Sequence, residues 1–386
     1  MSELDLSIEK LVYGGDGLAR QGGHVVLVPF VLPGETVRAE VSRSKNDLMR
    51  GQVLEMLTPS AERVAPGCPY FLKCGGCQYQ HAGYAYQLEQ KVAILREVLR
   101  RVGRIEYDGQ IEIVSAEPWR YRNRAQLHIG GGRIGYYEHG SHSICAIDQC
   151  PISSPKLNEI IGRLASEVPR MRPFDATLEF FTNESDVQFH LQDRVPAQFR
   201  GLLKELGSSG PIEYEGFRVS GSSFFQVNRF LVQRLVETAI VGLSGSTAVD
   251  LFAGVGLFTL PLARQFERVT AVEISAAAFD DLRANLERAG IGNVEGRRST
   301  TDEYLTNLTE APDLMLADPP RAGLGKIAVR ELLRLRPAKI VIVACDPATL
   351  ARDLAPLVGG GYSIQGVTLV DLFPQTAHLE TVVRLG

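Results

Sequence analysis

The most constraining feature of the chain is an alternation that begins near residue 216. Short apolar runs (TAVDLFAGVG, RVTAVEIS, DLMLADPP, KIVIVACDP) are separated by turns and by helical stretches such as DDLRANLERAG, and a strand pair closes the chain. Strands that alternate with helices are returned to the same end of a sheet by each crossover, so residues 216–386 are predicted to form a doubly wound α/β sheet. Open sheets of this kind bind ligands just beyond the carboxyl ends of their strands. The rest of the chain reads differently. Residues 4–57 carry short alternating segments (LDLSIEKLV, HVVLVPFV, ETVRAEV, RGQVLEML) separated by YGGDG and LPGE, which predicts a small OB-type β-barrel over 1–58. Residues 59–215 combine a cysteine cluster, a helical pattern over 86–102 and the strand-like AQLHIGG and DVQFHLQ, a mixed α+β central region.

Composition narrows the function classes. Hydrophobic residues make up 45% and charged residues 22% of the 386, values of a chain that buries a core rather than of a disordered or fibrous one. Apolar runs such as 340–345 fall far short of the ~18 residues that cross a bilayer, and MSELDLSIEK has neither the basic nor the apolar region of a signal peptide. A cytoplasmic protein with no membrane partner and no obligate protein partner is expected. The net charge of -4 gives no global case for nucleic acid, so such a partner needs local patches. Two are present. Arg38, Arg43, Lys45 and Arg50 outnumber Glu40 and Asp47, and WRYRNR alternates Arg120, Arg122 and Arg124 with Trp119, Tyr121 and Asn123. A strand would set those three arginines on one face beside aromatic rings, a phosphate-contacting pattern.

The chemistry-bearing motifs lie at the expected strand ends. In DLFAGVG, Asp250 and Phe252 end a strand, and Gly254 and Gly256 allow close approach of backbone amides to a ligand. Glu273 ends the next strand at the spacing where a carboxylate accepts ribose hydroxyls. The turn lacks G-x-G-x-x-G and is closer to the S-adenosylmethionine motif of class I methyltransferases. Asp318 follows a third strand in ADPPR, where two prolines fix an extended turn. Amino-group methyltransferases often carry an aromatic residue after a similar D-P-P; Arg321 stands here and weakens a nitrogen-methylating reading. Cys345 follows KIVIV and precedes Asp346, an N-cap, so its thiol sits at a helix N-terminus that favours thiolate while the Asp346 carboxylate opposes it. His378 and Glu380, two apart, would share one face of a final strand. Finally, Cys68, Cys74 and Cys77 in C-x5-C-x2-C, with Cys150 or Cys145 as a distant fourth, suit a cubane iron-sulfur cluster or a zinc ion.

In this order the motifs CPYFLKCGGC, QCPI, FFQVN, DLFAGVG, VEIS, DPPRAG, ACDPAT and FPQTAHLE resemble the TRAM-containing RNA uracil-C5 methyltransferases of iron-sulfur type over nearly the whole chain. The resemblance implies a class I S-adenosylmethionine methyltransferase domain behind a TRAM barrel and a central iron-sulfur domain. It implies that Cys68, Cys74, Cys77 and Cys150 hold a 4Fe-4S cluster, leaving Cys145 outside. Gln226, Phe252, Glu273 and Asp318 match the family's S-adenosylmethionine positions, Cys345 its nucleophile and Glu380 its proton acceptor. The chemistry agrees, since uracil C5 becomes nucleophilic only after a thiolate adds at C6. The expected product is 5-methyluridine in structured RNA, in ribosomal rather than transfer RNA because of the barrel. The alternatives are a transfer-RNA enzyme, an iron-sulfur RNA-binding protein with a vestigial site, and a nitrogen methyltransferase. The family often has Ser-Cys-Asn where Ala344, Cys345 and Asp346 stand, and a polar residue at Leu257.

Overall fold

Period-two burial builds the N-terminal body of this computed structural model, which describes residues 2–43 and 48–386. Strands β1 (Ser2–Leu11), β2 (Gly17–Gln21), β3 (His24–Val28), β4 (Thr36–Arg43) and β5 (Met49–Thr58) close a barrel in the order β1-β2-β3-β5-β4. Leu6, Ile8, Val26, Val28, Val37, Ala39 and Val41 fill it. The short β2 shows too little alternation to be read from sequence. Of the basic patch, Lys45 lies outside the described residues. Arg38 is paired with Asp5 and Glu55 (3.0 and 2.8 Å), and Arg50 with Asp16 (3.4 Å), so both are engaged in ion pairs.

The boundaries expected near 58 and 215 are crossed by the chain. Helix α1 (Tyr84–Gly103) buries Leu95 and Leu99 in the core of the C-terminal sheet, and β6 (Ile111–Val114) is that sheet's edge strand. The sheet of the central body follows, and Phe71 and Cys77 from before α1 pack into its core. Strands β7 (Arg124–Gly130), β8 (Arg133–Tyr137), β9 (Ile144–Ala146), β10 (Ala176–Thr182) and β11 (Val187–Leu191) form an antiparallel sheet in the order β11-β10-β7-β8-β9. Helices α2 (Pro155–Glu167) and α3 (Ala197–Leu206) complete its core with Leu157, Ile161, Phe199 and Leu203. Each such side chain contributes ~1.5–3 kcal/mol on burial. A hairpin, β12 (Ile212–Tyr214) and β13 (Phe217–Val219), leads into the last body.

That body is the doubly wound sheet read from the alternation. After α4 (Val232–Ile240) come β14 (Gly245–Leu251), α5 (Thr259–Leu262), β15 (Phe266–Val272), α6 (Ala276–Arg288), β16 (Val294–Arg297), α7 (Thr301–Asn307), β17 (Leu314–Ala317), α8 (Gly325–Leu335), β18 (Lys339–Ala344), α9 (Pro347–Gly359), β19 (Ile364–Val370) and β20 (Thr381–Leu385). The order is β16-β15-β14-β17-β18-β20-β19-β6, with β14 to β18 parallel and β20 antiparallel to both neighbours. Winding runs from β14 to one edge and then from β17 toward the other, so the switch point lies between β14 and β17. Among the described residues, no helix is long and apolar enough to cross a membrane.

Two local expectations are corrected. Residues 371–380 form a loop between β19 and β20 rather than a strand, so His378 and Glu380 precede the last strand. WRYRNR is likewise irregular up to Asn123, with Arg120 at φ 56°. Its arginines therefore point to different places. Arg120 is exposed, whereas Arg124 is buried against Glu179 (2.5 Å) and the Ser223 carbonyl (2.8 Å), so a three-arginine phosphate face is absent.

Candidate active site

Four of the five parallel strands, β14, β15, β17 and β18, deliver a candidate functional residue at or just beyond their carboxyl ends. Phe252 follows β14 with φ 62°, and Gly256 (φ 100°) is needed because a Cβ there would stand 2.7 Å from Leu282. Glu273 follows β15. Its carboxylate accepts the Gly254 amide (2.9 Å) and the Ser275 amide (2.6 Å), which ties the Gly-rich turn to the neighbouring strand end. Asp250, in β14, accepts the Thr259 hydroxyl at 2.5 Å through one oxygen and has no partner for the other. Burial pushes this carboxyl up to about 7. Asp318 follows β17, and burial pushes it to about 7 as well. Gln226 comes from a separate element, the loop between β13 and α4, where it is buried (5% exposed). That loop is anchored by Asn228, which donates to the Leu372 carbonyl (3.1 Å), and by Val227, which accepts the Asn123 amide (3.0 Å).

Cys345 and Glu380 meet across a strand pair. Ala344 of β18 pairs with Thr381 of β20, so the next residue on one strand and the preceding residue on the other stand opposite at the same sheet end. Burial and the Glu380 carboxylate push the Cys345 thiol up to about 11, with Asp318 adding to the effect and Arg321 opposing it. Glu380 is raised well above the usual carboxylate range by burial and then by Asp318, with Arg321 again opposing. The thiol is therefore mainly protonated at neutral pH. Helix α9 does not rescue it, because its first amides, Ala348 and Thr349, are taken by Asp346 Oδ1 at 3.0 and 2.8 Å.

Sequence reasoning missed two members of this cluster. Arg321, noted only as a departure, is close enough for its charge to oppose the upward shifts of Cys345 and Glu380, and it lies 3.4 Å from His378 Nδ1. His378 is lowered to about 4 by burial and by this guanidinium, so it is neutral. Tyr13 arrives from the turn between β1 and β2 and donates its hydroxyl to Asp346 Oδ2 at 3.0 Å. No spacing rule links positions 333 residues apart. A cavity of about 1120 Å³ against β16 and α7 holds none of these groups.

Comparison with known proteins gives the family. A model of tRNA (uracil-5-)-methyltransferases matches residues 213–386, and one of TRAM domains matches residues 1–54. An uncharacterised RNA methyltransferase of Aquifex aeolicus is 33% identical over 99% of this chain and 98% of its own length. Another, from Thermosynechococcus vestitus, is 31% identical over 99% and 97%. The chain belongs to the RNA uracil-5-methyltransferase family. The Pyrococcus abyssi tRNA (uracil-54, C5)-methyltransferase, solved in complex with S-adenosyl-L-homocysteine, superposes with a TM-score of 0.76 at 25% identity, covering 99% of this chain and 100% of that one. The C-terminal body thus has the class I S-adenosylmethionine methyltransferase fold, and the barrel is a TRAM domain.

Spacing alone left Cys145 and Cys150 open as the fourth cysteine, and the two lie in different surroundings. Cys68, Cys74, Cys77 and Cys150 line one cavity with Gly76, Gln80, Arg122 and Tyr136. Cys145 is buried on β9 and is not part of that lining. Burial raises the thiols of Cys68, Cys74 (to about 12) and Cys77. Among the described residues, no group of three or more His, Cys, Asp or Glu side chains is arranged to hold a single metal ion. The cavity wall also contains Arg122 Nε, buried with no hydrogen-bond partner.

Proposed function

We propose that this enzyme makes 5-methyluridine in structured RNA through a covalent adduct between Cys345 and uracil C6. The observation that carries the reading is the register neighbourhood of Cys345 and Glu380 beside Asp318 at one sheet end. The Cys345 sulfur adds to C6, and the electron pair of the C5–C6 double bond moves onto the uracil ring and its carbonyl, making C5 nucleophilic. S-adenosylmethionine, which Gln226, Phe252, Glu273 and Asp318 would hold, would supply a sulfonium methyl to C5, its sulfur–methyl bond breaking to leave S-adenosylhomocysteine. Glu380 then removes the C5 proton, the C5–C6 double bond re-forms, the sulfur–C6 bond breaks and the thiolate leaves. The base must leave its stack to reach this cleft. Arg321, where nitrogen methyltransferases often carry a stacking ring, argues against amino-group transfer.

The barrel first suggested ribosomal RNA. The Pyrococcus abyssi protein, a tRNA enzyme, aligns over 99% of this chain, barrel included, so the barrel does not discriminate and transfer RNA is tested beside ribosomal RNA. An RNA substrate is consistent with work in the cytoplasm. Incubation with 5-fluorouridine-containing RNA and S-adenosylmethionine should trap an adduct that survives denaturation and that Cys345→Ala abolishes. An adduct that persists in the variant, or none with the wild type on either RNA, refutes the mechanism. Glu380→Gln should transfer methyl and stay bound.

Cys68, Cys74, Cys77 and Cys150 are proposed to hold a 4Fe-4S cluster. Their common cavity supports this, as does Arg122, whose unpartnered buried N–H complements the negative charge of four thiolates. Metal displaces the protons that burial retains on these thiols. The cluster would tie residues 68–77 to Cys150, and no step of methyl transfer passes through it.

A further inference from the structure

The loop that delivers Glu380 is gripped by two distant parts of the chain. Gln375 lies at φ 69° and is 3% exposed. A non-glycine residue in the left-handed region persists only where its surroundings over-determine it. Here the Gln375 carbonyl accepts the amides of Gln78 and Tyr79 at 3.1 and 3.0 Å. Its own amide donates to Gln87 Oε1 at 3.0 Å, and its side-chain oxygen accepts from Gln87 Nε2 at 2.9 Å. Two residues on, the Ala377 amide donates to Gln78 Oε1 at 3.0 Å, while Nε2 of the same side chain donates to the Gly75 carbonyl at 2.9 Å. One carboxamide therefore bridges the turn between Cys74 and Cys77 and the backbone three residues before Glu380.

We infer that Gln78 is a positioning residue for the base, coupling the geometry of the cysteine-bearing turn to the placement of Glu380 against the RNA adduct. The inference rests on the function proposed above and assigns the turn a mechanical part in one half of the reaction. Sulfur addition and methyl transfer need Cys345 and the methyl donor. Proton removal from C5, with re-formation of the double bond and departure of the sulfur, needs Glu380. A displaced Glu380 slows the second half alone, whereas a general loss of structure slows both.

The test uses the full chain with Gln78→Ala on a uridine-containing RNA, measuring methyl incorporation in a single turnover and, on denaturing gels, the fraction of enzyme covalently held to RNA. Incorporation should stay within about twofold of wild type. Both side-chain hydrogen bonds of Gln78 are lost, so release should slow at least about fivefold and the methylated adduct should accumulate. Gln78→Glu keeps an acceptor for the Ala377 amide but breaks the bond to Gly75. It should slow release by about twofold or more, and it carries the test if the alanine variant does not fold. Release at the wild-type rate from a folded variant, or equal slowing of both halves without adduct, overturns the coupling. Wild-type enzyme that forms no 5-methyluridine on any RNA instead defeats the functional reading itself.

Discussion

Lys91 and Asp371 form an ion pair at the root of the loop that carries Glu380, and breaking it should be costly. The two side chains are 0% and 1% exposed, and Nζ lies 2.6 Å from Oδ1. Lys91 also donates to the Phe373 carbonyl (3.0 Å), and Asp371 Oδ2 accepts the Tyr84 hydroxyl (2.8 Å). In Lys91→Met the carboxylate stays buried with one neutral donor. Removing one partner of a buried pair costs about 3–5 kcal/mol, because the remaining charge has lost both water and its counter-ion. For a cooperative unit of 150–250 residues this lowers the unfolding midpoint by roughly 6–20 °C. Trp119 is the single tryptophan and packs against the central core, so far-UV circular dichroism, which follows the helical catalytic body, is the proper probe. Lys91→Met/Asp371→Asn removes both charges and should recover at least half of the loss. A Lys91→Met cost below about 1 kcal/mol, or a double variant as unstable as the sum of the singles, would refute the assignment of the pair as a desolvated clamp.

The Cys345 thiol, held at about 11, predicts that the rate of adduct formation rises with pH between 6 and 9, because the thiolate fraction grows tenfold per unit below the pKa. Arg321→Gln removes the cation that opposes the upward shifts of both Cys345 and Glu380, so the profile should move to higher pH; a flat or unmoved profile contradicts this. Tyr13→Phe keeps the ring and deletes only the bond to Asp346, so adduct formation should slow several-fold, with stability changed by no more than ~1 kcal/mol. An unaltered rate would show that the barrel turn does not reach the nucleophile. Anaerobically purified wild type should be brown with roughly four iron atoms; Cys77→Ser should lose them and Cys145→Ser keep them, and equal loss, or a colourless zinc protein, refutes the cluster.

The sheet was legible because its signal is local and repeated. Strand ends at Phe252, Glu273, Asp318 and Cys345 follow from apolar runs closed by glycine, proline or acid, and winding brings their carboxyl ends together. The barrel was legible in outline, through the alternation of β1, β3, β4 and β5. What stayed hidden is set by contacts between segments far apart in the chain. Strand β6 reads as four ordinary residues, and only pairing with β19 makes it part of the catalytic sheet. The arginines of WRYRNR promise a face only if the backbone is extended, and a left-handed Arg120 removes it. His378 and Glu380 suggest a strand by their spacing, yet residues 375–377 of the preceding loop are bound to α1 and to the cysteine segment instead of to a neighbouring strand.

The electrostatics of the cleft argue for a resting state that withholds reactivity. Burial favours the neutral forms of Cys345, Asp318 and Glu380, and each ionised group would raise its neighbours further. In the mechanism proposed above, the thiol that attacks C6 and the carboxylate that removes the C5 proton must each be ionised in turn, and Cys345 and Glu380 stand opposite each other just beyond the paired ends of β18 and β20. Ionising both at once in a dry pocket is the least favourable arrangement. Arg321 lowers both and sits on an exposed turn, where a phosphate of bound RNA would compete for its charge. The order that avoids two adjacent anions is thiolate first and carboxylate second, with the first charge consumed in the sulfur–carbon bond before the second is needed. Glu380 then acts beside a neutral thioether, so Glu380→Gln leaves the first half of the reaction intact while it stops the second.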